Sequence, residues 1–272
     1  MNINSVQVQG HNISYRRKGK GVAVLLVHGV ASYSFLWNEI IDRLADQYDV
    51  IATDLLGCGA SDKPVGVDYS IDTQSDILIE LIEKLELGKV HLVGHDVGGG
   101  VVQLMAVKRP EQLIDLSMIN PVGYDYWPVQ PITTMRLPVI RALTSSIMNR
   151  NMLKMVVRRA VYNKAALTEE LMDEFWQPLA TKQGKDGFIQ LIRSINNRLL
   201  TAITEKLRQL TIPALLIRGD ADAYLSREIT EHLAKDIPNS RLVNVPAGGH
   251  FIQIDEPEKI SQLLTDFFKE SA

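Results

Sequence analysis

The segment Gly94-His95-Asp96-Val97-Gly98-Gly99-Gly100 lies at the junction of two different sequence patterns. The apolar run Val90–Val93 before it is typical of a buried strand, and the stretch after it, to Lys108, has helical spacing. A residue at a sharp strand-to-helix turn adopts strained backbone angles, which aspartate tolerates better than most residues. Because glycines stand two residues before and two residues after Asp96, the spacing is that of a nucleophile elbow with Asp96 at its centre.

Glycines in front of a helix also allow two other interpretations of this segment. A phosphate-binding loop would need GxGxxG or GxxxxGK[ST], and neither pattern is present. A purely structural turn stays open, in which Asp96 only caps the helix N-terminus. The rest of the chain has to distinguish a structural role from a chemical one.

Short β-rich runs alternate with helical stretches over the first 120 residues and again from about residue 211. The predicted strands are Ile3–Val8, Ile13–Arg17, Val22–Val27, Val50–Thr53, Val90–Val93, Leu113–Ile119, Pro213–Ile217 and Arg241–Val245. The predicted helices of these two regions are Phe35–Ala45, Thr73–Leu85, Gly98–Lys108, Ser226–Lys235 and Glu256–Phe268. This alternation predicts an α/β fold with βαβ crossovers and a mostly parallel central sheet flanked by helices.

Residues 121–210 have a different character, since they contain no buried-strand run. Their helical spacing predicts the helices Val139–Met148, Leu153–Val161, Thr168–Trp176 and Gly187–Ile203. We therefore predict one core domain, residues 1–120 and 211–272, interrupted by a helical cap, residues 121–210. Ligands of open parallel sheets bind beyond the carboxyl ends of the strands, so a cap that leaves a strand end would cover the site.

Two further polar positions follow predicted strands at that same edge. The strand Pro213–Ile217 is followed by Asp220 and Asp222, and the strand Arg241–Val245 is followed by His250. A nucleophile, then an acid, then a histidine is the chain order of a triad built on a nucleophile elbow. The sequence thus predicts that one acid and His250 lie close to the elbow.

The chain resembles an α/β-hydrolase over nearly all of its length. Matching motifs occur in the family's order: His28-Gly29, the segment Asp54–Pro64, the elbow, Gly219–Asp222 and Gly249-His250. The resemblance implies an α/β-hydrolase fold with an inserted helical cap.

The resemblance also implies roles for individual residues. Asp96 takes the nucleophile position, His250 that of the base and Asp222 that of the triad acid. The family's spacing from Gly219 favours Asp222 over Asp220 as this acid. The backbone N–H groups of Val30 and Val97 take the positions of the oxyanion hole. No metal or organic cofactor is implied.

An aspartate nucleophile changes the chemistry that such a site can perform. Its carboxylate is already ionised at neutral pH, so it can attack a saturated carbon that bears a leaving group. The product is an ester of Asp96, which His250 would hydrolyse by activating water while the oxyanion hole stabilises the developing charge. This substitution resembles the epoxide hydrolases and the haloalkane or haloacid dehalogenases of the family.

The residues that stabilise the leaving group decide between these two activities. Dehalogenases of this kind usually place a tryptophan directly after the nucleophile and a second donor after the His-Gly pair, where this chain has Val97 and Val30. Epoxide hydrolases use cap tyrosines, and the cap offers Tyr124, Tyr126 and Tyr162. We therefore expect hydrolysis of epoxides of small organic molecules to diols.

Two other functions stay open. Haloalkane dehalogenation is the alternative, because the indole N–H of Trp127 or Trp176 in the cap could hold a halide. A catalytically silent ligand-binding protein with the same pocket is the alternative outside the enzymes.

Composition narrows the partners further. The 272 residues carry a formal net charge of −3, with 46% hydrophobic and 22% charged residues, as in ordinary globular chains. Lys and Arg are not in excess over Asp and Glu, so the composition argues against nucleic acid as a partner. No apolar run has the length of a membrane span, so we expect no membrane partner. A single cysteine, Cys58, and the lack of an export signal lead us to expect a cytoplasmic protein. Its expected partners are a small organic substrate and water, and a homodimer is compatible with the sequence.

Overall fold

The structure, a computed structural model, describes residues 2–126, 130, 132–135, 137 and 148–271. Its eight-stranded sheet has the order β1-β2-β4-β3-β5-β6-β7-β8. The strands are β1 Ile3–Val8, β2 His11–Gly19, β3 Ala23–Val27, β4 Asp49–Thr53, β5 Val90–Asp96, β6 Leu113–Pro121, β7 Ala214–Gly219 and β8 Ser240–Val245. Strand β2 pairs antiparallel with β1 and β4, and the other neighbours pair in parallel. The prediction of a mostly parallel sheet is confirmed.

Helices, numbered along the described residues, connect these strands. In the core they are α1 Asn38–Leu44, α2 Ile71–Lys84, α3 Val97–Lys108, α10 Arg227–Asp236, α11 Ile252–Asp255 and α12 Pro257–Ser271. Between β6 and β7 they are α4 Ile132–Met135, α5 Arg150–Ala160, α6 Glu169–Trp176, α7 Lys182–Ser194, α8 Arg198–Thr201 and α9 Thr204–Leu207. No helix in the described ranges is long and apolar enough to cross a bilayer.

Strand β3 shows why its sequence is continuously apolar. All five of its residues are buried. Successive side chains of a strand point to opposite faces, and here Leu25 and Val27 belong to one apolar cluster while Val24 and Leu26 belong to another. The sheet is covered by packed residues on both faces, as parallel sheets are.

In the helical segment between β6 and β7, the longest predicted helix is divided in the structure, and the short helices α4 and α9 were not predicted. The predicted helix Gly187–Ile203 is two helices, α7 and α8, with extended backbone at Ile195. The Asn196 side chain accepts a hydrogen bond from the N–H of Arg198, and such local bonds compete with continuation of a helix. Of the predicted helix Val139–Met148, all but Met148 lies outside the described residues.

The topology brings the chemical residues to one edge of the sheet. Strand β5 ends at Asp96, β7 at Gly219 and β8 at Val245, and these strands run parallel to one another through β6. Strand β6 ends at the same edge, where the segment that we call the cap segment, residues 121–210, leaves the sheet.

Candidate active site

Asp96 occupies the strained turn between β5 and α3. Its backbone has φ +52° and ψ −120°, and its side chain makes no capping hydrogen bond to α3. The N–H of Val30 instead donates to Oδ2 of Asp96 at 2.8 Å. Asp96 is 6% exposed, so this carboxylate is held by the protein and is not used as a helix cap.

Glycines allow the backbone to approach this carboxylate. A Cβ on Gly94 would lie 2.5 Å from the carbonyl oxygen of Gly98, and a Cβ on Gly98 would lie 2.4 Å from that of His28. A Cβ on Gly29 would lie 2.4 Å from both Cβ and Oδ2 of Asp96. These separations are shorter than real Cβ contacts, so the tight elbow requires residues without side chains at these positions.

The loop that carries Val30 is fixed by His28. The Nδ1–H of His28 donates to the carbonyl of Gly29 at 2.8 Å, and Nε2 accepts from the N–H of Leu55 at 3.0 Å. Burial lowers the pKa of His28 below its ordinary value, which keeps the ring neutral. A neutral ring has one donor and one acceptor nitrogen, so these two bonds are compatible with each other.

Asp54 organises the neighbouring loop from a buried position. One carboxylate oxygen accepts from the N–H of Ser34 and the other from the N–H of Ala60, both at 2.8 Å. A Cβ on Gly59 would lie 2.2 Å from Oδ2 of Asp54. Asp54 thus connects the loop after β3 with the loop after β4.

His250 and Asp222 form a second group at the same edge. Nδ1 of His250 lies 3.1 Å from Oδ2 of Asp222. Oδ1 of Asp222 accepts from the N–H groups of Tyr224 at 2.8 Å and Leu225 at 3.2 Å, and Arg218 lies 3.3 Å from Oδ2. Asp222 is therefore fixed by backbone donors, and it orients the imidazole through Nδ1.

The charges of this group stabilise one another. Burial disfavours ionised Asp222, but the charge and hydrogen bond of His250, with Arg218, lower its pKa to about 2. Burial would also lower the pKa of His250, but the charge and hydrogen bond of Asp222, with the charge of Asp96, raise it above the ordinary value. For Asp96 itself burial raises the pKa, opposed by the charge of His250 and by the N–H groups of Val30 and Val97.

Asp220, the other acid after β7, has a different partner. Its Oδ1 accepts from the guanidinium of Arg227. The carboxylate that the structure places on His250 is that of Asp222.

The three cap tyrosines of the sequence prediction do not meet at Asp96. The hydroxyl of Tyr124 donates to Asp236 at 2.9 Å, and that of Tyr126 lies 3.3 Å from Nδ1 of His232. Both partners belong to α10. Tyr162 is 55% exposed at the surface. The partners of Tyr124 and Tyr126 lie more than a hundred residues away along the chain, so local sequence could not show them.

Of the two tryptophans that the sequence offers as halide ligands, Trp176 belongs to the described residues. Trp176 ends α6 and packs, half-buried, against the apolar cluster that contains Phe175 and Phe251. The Nζ of Lys185 lies 5.6 Å from its ring centroid. Trp127 lies outside the described residues.

The cap segment contacts the candidate base directly. The carbonyl of Ala160, at the end of α5, accepts a 2.6 Å hydrogen bond from the N–H of His250. The ring of Phe175 lies 4.8 Å from that of Phe35 and 5.1 Å from that of Phe251. An apolar aromatic wall therefore joins α6 to the loops on either side of the site.

Two residues next to the site were missed by the sequence reasoning. Nε2 of His95 lies 2.9 Å from the carbonyl oxygen of His250, and Nδ2 of Asn120 donates to the same oxygen at 3.0 Å. The sequence signal for Asn120 was its place at the end of a strand of the same sheet edge. Among the described residues, no group of three or more His, Cys, Asp or Glu side chains is arranged to hold a metal ion.

Comparisons with known proteins agree with this architecture. A family model described as alpha/beta hydrolase fold matches residues 22–257. The Bacillus subtilis protein named Uncharacterized hydrolase YugF is 30% identical over 276 residues, covering 98% of each chain. Haloalkane dehalogenase 2 of Mycobacterium bovis is 28% identical over 268 residues, covering 94% of this chain and 91% of its own. The crystal structure of haloalkane dehalogenase DbeA from Bradyrhizobium elkani superposes with a TM-score of 0.86 at 25% identity, covering 99% of each chain.

Proposed function

We propose, from the premise that this chain belongs to the α/β-hydrolase fold family, that it hydrolyses a carbon–halogen bond at a saturated carbon through a covalent ester on Asp96. The observation that carries the proposal is the 2.8 Å hydrogen bond from the N–H of Val30 to Oδ2 of Asp96. It holds one carboxylate oxygen where a tetrahedral intermediate on the same carbon would carry its negative charge. The similarity to haloalkane dehalogenases supports the choice of leaving group.

In the first step Asp96 acts as the nucleophile. Its Oδ1 donates an electron pair to the halogen-bearing carbon, the carbon–halogen bond breaks, and the halide leaves with the bonding electrons. The ionised carboxylate needs no base for this attack, and the charge of His250 with the N–H groups of Val30 and Val97 favours that ionised form against the effect of burial. The enzyme now carries an alkyl ester, and the negative charge of Asp96 is lost.

In the second step His250 acts as the base, oriented by Asp222 at 3.1 Å. It takes a proton from water, and the hydroxide oxygen adds to the ester carbon of Asp96. The N–H groups of Val30 and Val97 stabilise the resulting oxyanion. Collapse breaks the bond between Oδ1 and the acyl carbon of the ester, and the proton on His250 passes to the leaving alkoxide. The alcohol departs with the former Oδ1, and Asp96, left as a carboxylic acid, releases its proton to solvent to regenerate the carboxylate.

Epoxide opening makes a different demand, since the alkoxide formed in the first step stays on the substrate and needs a proton donor. The hydroxyls of Tyr124 and Tyr126 contact α10, and Tyr162 is largely exposed. Among the described contacts, no tyrosine hydroxyl reaches Asp96. We therefore place halide ahead of epoxide, which reverses the order expected from the sequence.

A substrate panel with an adduct-trapping variant tests the proposal. Purified protein is incubated with bromohexane, chlorohexane and epoxyhexane, and released halide and diol are measured. His250→Gln should retain the first step and accumulate an alkyl adduct visible by intact mass, whereas Asp96→Ala should give neither adduct nor product. Tyr162→Phe, at the exposed surface, is the matched control and should behave as wild type.

The outcomes separate the three classes of function. Halide release with an adduct on His250→Gln supports the proposal. Diol formation without halide release would overturn it in favour of epoxide hydrolysis. Tight binding of these compounds with neither product nor adduct would show a ligand-binding protein.

A further inference from the structure

We propose that Asn120 and His95 are positioning residues that hold the peptide of His250 in place for ester hydrolysis. The inference rests on the proposed function for the step that it names. The two residues lie on neighbouring strands, Asn120 near the end of β6 and His95 beside the nucleophile on β5. Neither touches the reacting atoms in the mechanism above.

The carbonyl oxygen of His250 receives two donors from the core. Nε2 of His95 lies 2.9 Å from it, and Nδ2 of Asn120 lies 3.0 Å from it. Both side chains are fully buried. A carbonyl oxygen has two acceptor lone pairs, so this oxygen is fully bonded.

Asn120 also connects the acid turn with the base turn. Its Oδ1 accepts from the N–H of Gly219 at 2.9 Å, and its Nδ2 donates to the carbonyl of Gly249 at 2.9 Å. The two turns pack backbone against backbone, since a Cβ on Gly219 would lie 2.5 Å from the carbonyl oxygen of Gly248. One buried amide therefore sets the distance between the turn before Asp222 and the turn that carries the base.

His95 is suited to donate without adding charge. Burial lowers the pKa of His95 to about 3, so the ring is neutral at working pH and carries one N–H. The 2.9 Å contact to a carbonyl, which can only accept, places that hydrogen on Nε2. The ring centroids of His95 and His250 lie 4.9 Å apart, where a charged neighbour would disfavour the protonated base.

The backbone of His250 is thus held at both its N–H and its carbonyl. The core binds its carbonyl, and the cap binds its N–H through Ala160 at 2.6 Å. With this backbone fixed, the contact between Nδ1 and Asp222 is enough to set the orientation of the imidazole ring. Loss of the core donors should tilt the peptide, and small misplacements of catalytic groups slow reactions strongly.

The consequence falls on one step only. His250 acts in ester hydrolysis, while the attack by Asp96 needs no base. Loss of Asn120 or His95 should therefore leave ester formation nearly unchanged and slow ester breakdown. A purely structural role would slow both steps together, through loss of folded protein.

The experiment compares Asn120→Ala, His95→Phe and His95→Gln with the control Asn239→Ala. Asn239 donates to the carbonyl of Thr211 at 2.8 Å just before β8, at the opposite end of the sheet. The first readout needs no substrate: the low-field proton NMR resonance of His250 Nδ1–H, bound to Asp222. The second is a single-turnover experiment with bromohexane, in which the ester is followed by intact mass and the alcohol by chemical quench. Thermal melts report folding.

We expect Asn120→Ala and His95→Phe to shift or broaden the Nδ1–H resonance and to slow ester breakdown about tenfold, with ester formation within about twofold. His95→Gln should recover part of the loss, because its amide can donate to the same carbonyl, and Asn239→Ala should match wild type. An unchanged resonance in both Asn120→Ala and His95→Phe would overturn the inference, as would equal slowing of both steps in folded variants. If wild type forms no ester with any probe, the proposed function fails, and the NMR readout alone still decides the positioning role.

Discussion

Gly29 packs so closely against Asp96 that a Cβ on Gly29 would lie 2.4 Å from Oδ2 of that carboxylate. This contact places the neighbouring N–H of Val30 on the same oxygen at 2.8 Å. The loop after β3 therefore serves as both the wall and the hydrogen-bond donor of the candidate site.

Gly29→Ala should displace the carboxylate of Asp96 and slow ester formation by about a hundredfold. Gly29 has no positive φ, so the new methyl group acts through this contact and not through backbone strain. Stopped-flow or quench measurement of the adduct, in a His250→Gln background, checks the effect. Gly66→Ala is the control, because a Cβ there would meet no atom within 4 Å, so that any cost comes from the positive φ of Gly66 and not from a contact. Equal loss in both variants would contradict the prediction.

Asp222→Asn should change the pH dependence of ester breakdown. Asp222 contributes to raising the pKa of His250, and only neutral His250 can take a proton from water, so the wild-type rate rises with pH through that raised pKa. Without the carboxylate, the rising limb should move to lower pH, and the rate on the plateau should fall about 10³-fold or more because the imidazole loses its orientation. A pH–rate profile of ester breakdown measures both effects. An unmoved limb in the variant would show that another group titrates.

Tyr33→Phe should loosen the contact between α6 and the loop after β3. The hydroxyl of Tyr33 donates to Oε2 of Glu174 at 2.7 Å, and burial with this hydrogen bond raises the pKa of Tyr33 far above its ordinary value. We expect a loss of about 0.5–1.5 kcal/mol in the free energy of unfolding and faster proteolysis within the cap segment. Urea unfolding and limited proteolysis measure these, with Tyr162→Phe as the exposed control. Identical proteolysis of the two variants would count against the contact.

Trp176→Phe tests the halide site. If the indole N–H of Trp176 holds the leaving halide, the variant should bind bromide about tenfold more weakly, since one charge-assisted hydrogen bond is removed. Bromide quenching of tryptophan fluorescence and product inhibition by bromide measure this affinity. Trp37→Phe is the control, because Trp37 is a fully buried tryptophan of the same apolar cluster. Loss of quenching on Trp127→Phe instead would assign the halide to that residue.

The sheet and the order of its chemical residues follow from local patterns. Continuous apolar runs such as Val24–Val27 predict strands buried on both faces, and parallel strands bring Asp96, Gly219 and Val245 to one edge whatever the details of packing. The glycines of the elbow are also explained by local geometry. Backbone oxygens lie within 2.5 Å of the positions that a Cβ on Gly94 or Gly98 would take, so a side chain does not fit there.

The contacts of the cap segment could not be predicted in the same way. The hydroxyl of Tyr126 could serve as a proton donor, but its partner in the structure is His232 on α10. Only tertiary packing brings these two residues together. The break between α7 and α8 was missed because apolar spacing continues through it. Helix α7 ends at Ser194, and the side chain of Asn196 accepts a hydrogen bond from the N–H of Arg198 at the start of α8. His95 and Asn120 were missed because neither belongs to the predicted order of acid and histidine, although both contact the carbonyl oxygen of His250.

The proposed dehalogenation requires that Asp96 becomes an ester during turnover. The direct measurement is a single turnover of bromohexane in ¹⁸O-enriched water, with excess enzyme, followed by mass analysis of the peptide that contains Asp96. Because the alcohol takes its oxygen from the carboxylate and water replaces that oxygen, we expect one ¹⁸O in this peptide and none in the first alcohol released. Labelled alcohol with an unlabelled Asp96 peptide would contradict it, since water would then have attacked the substrate directly.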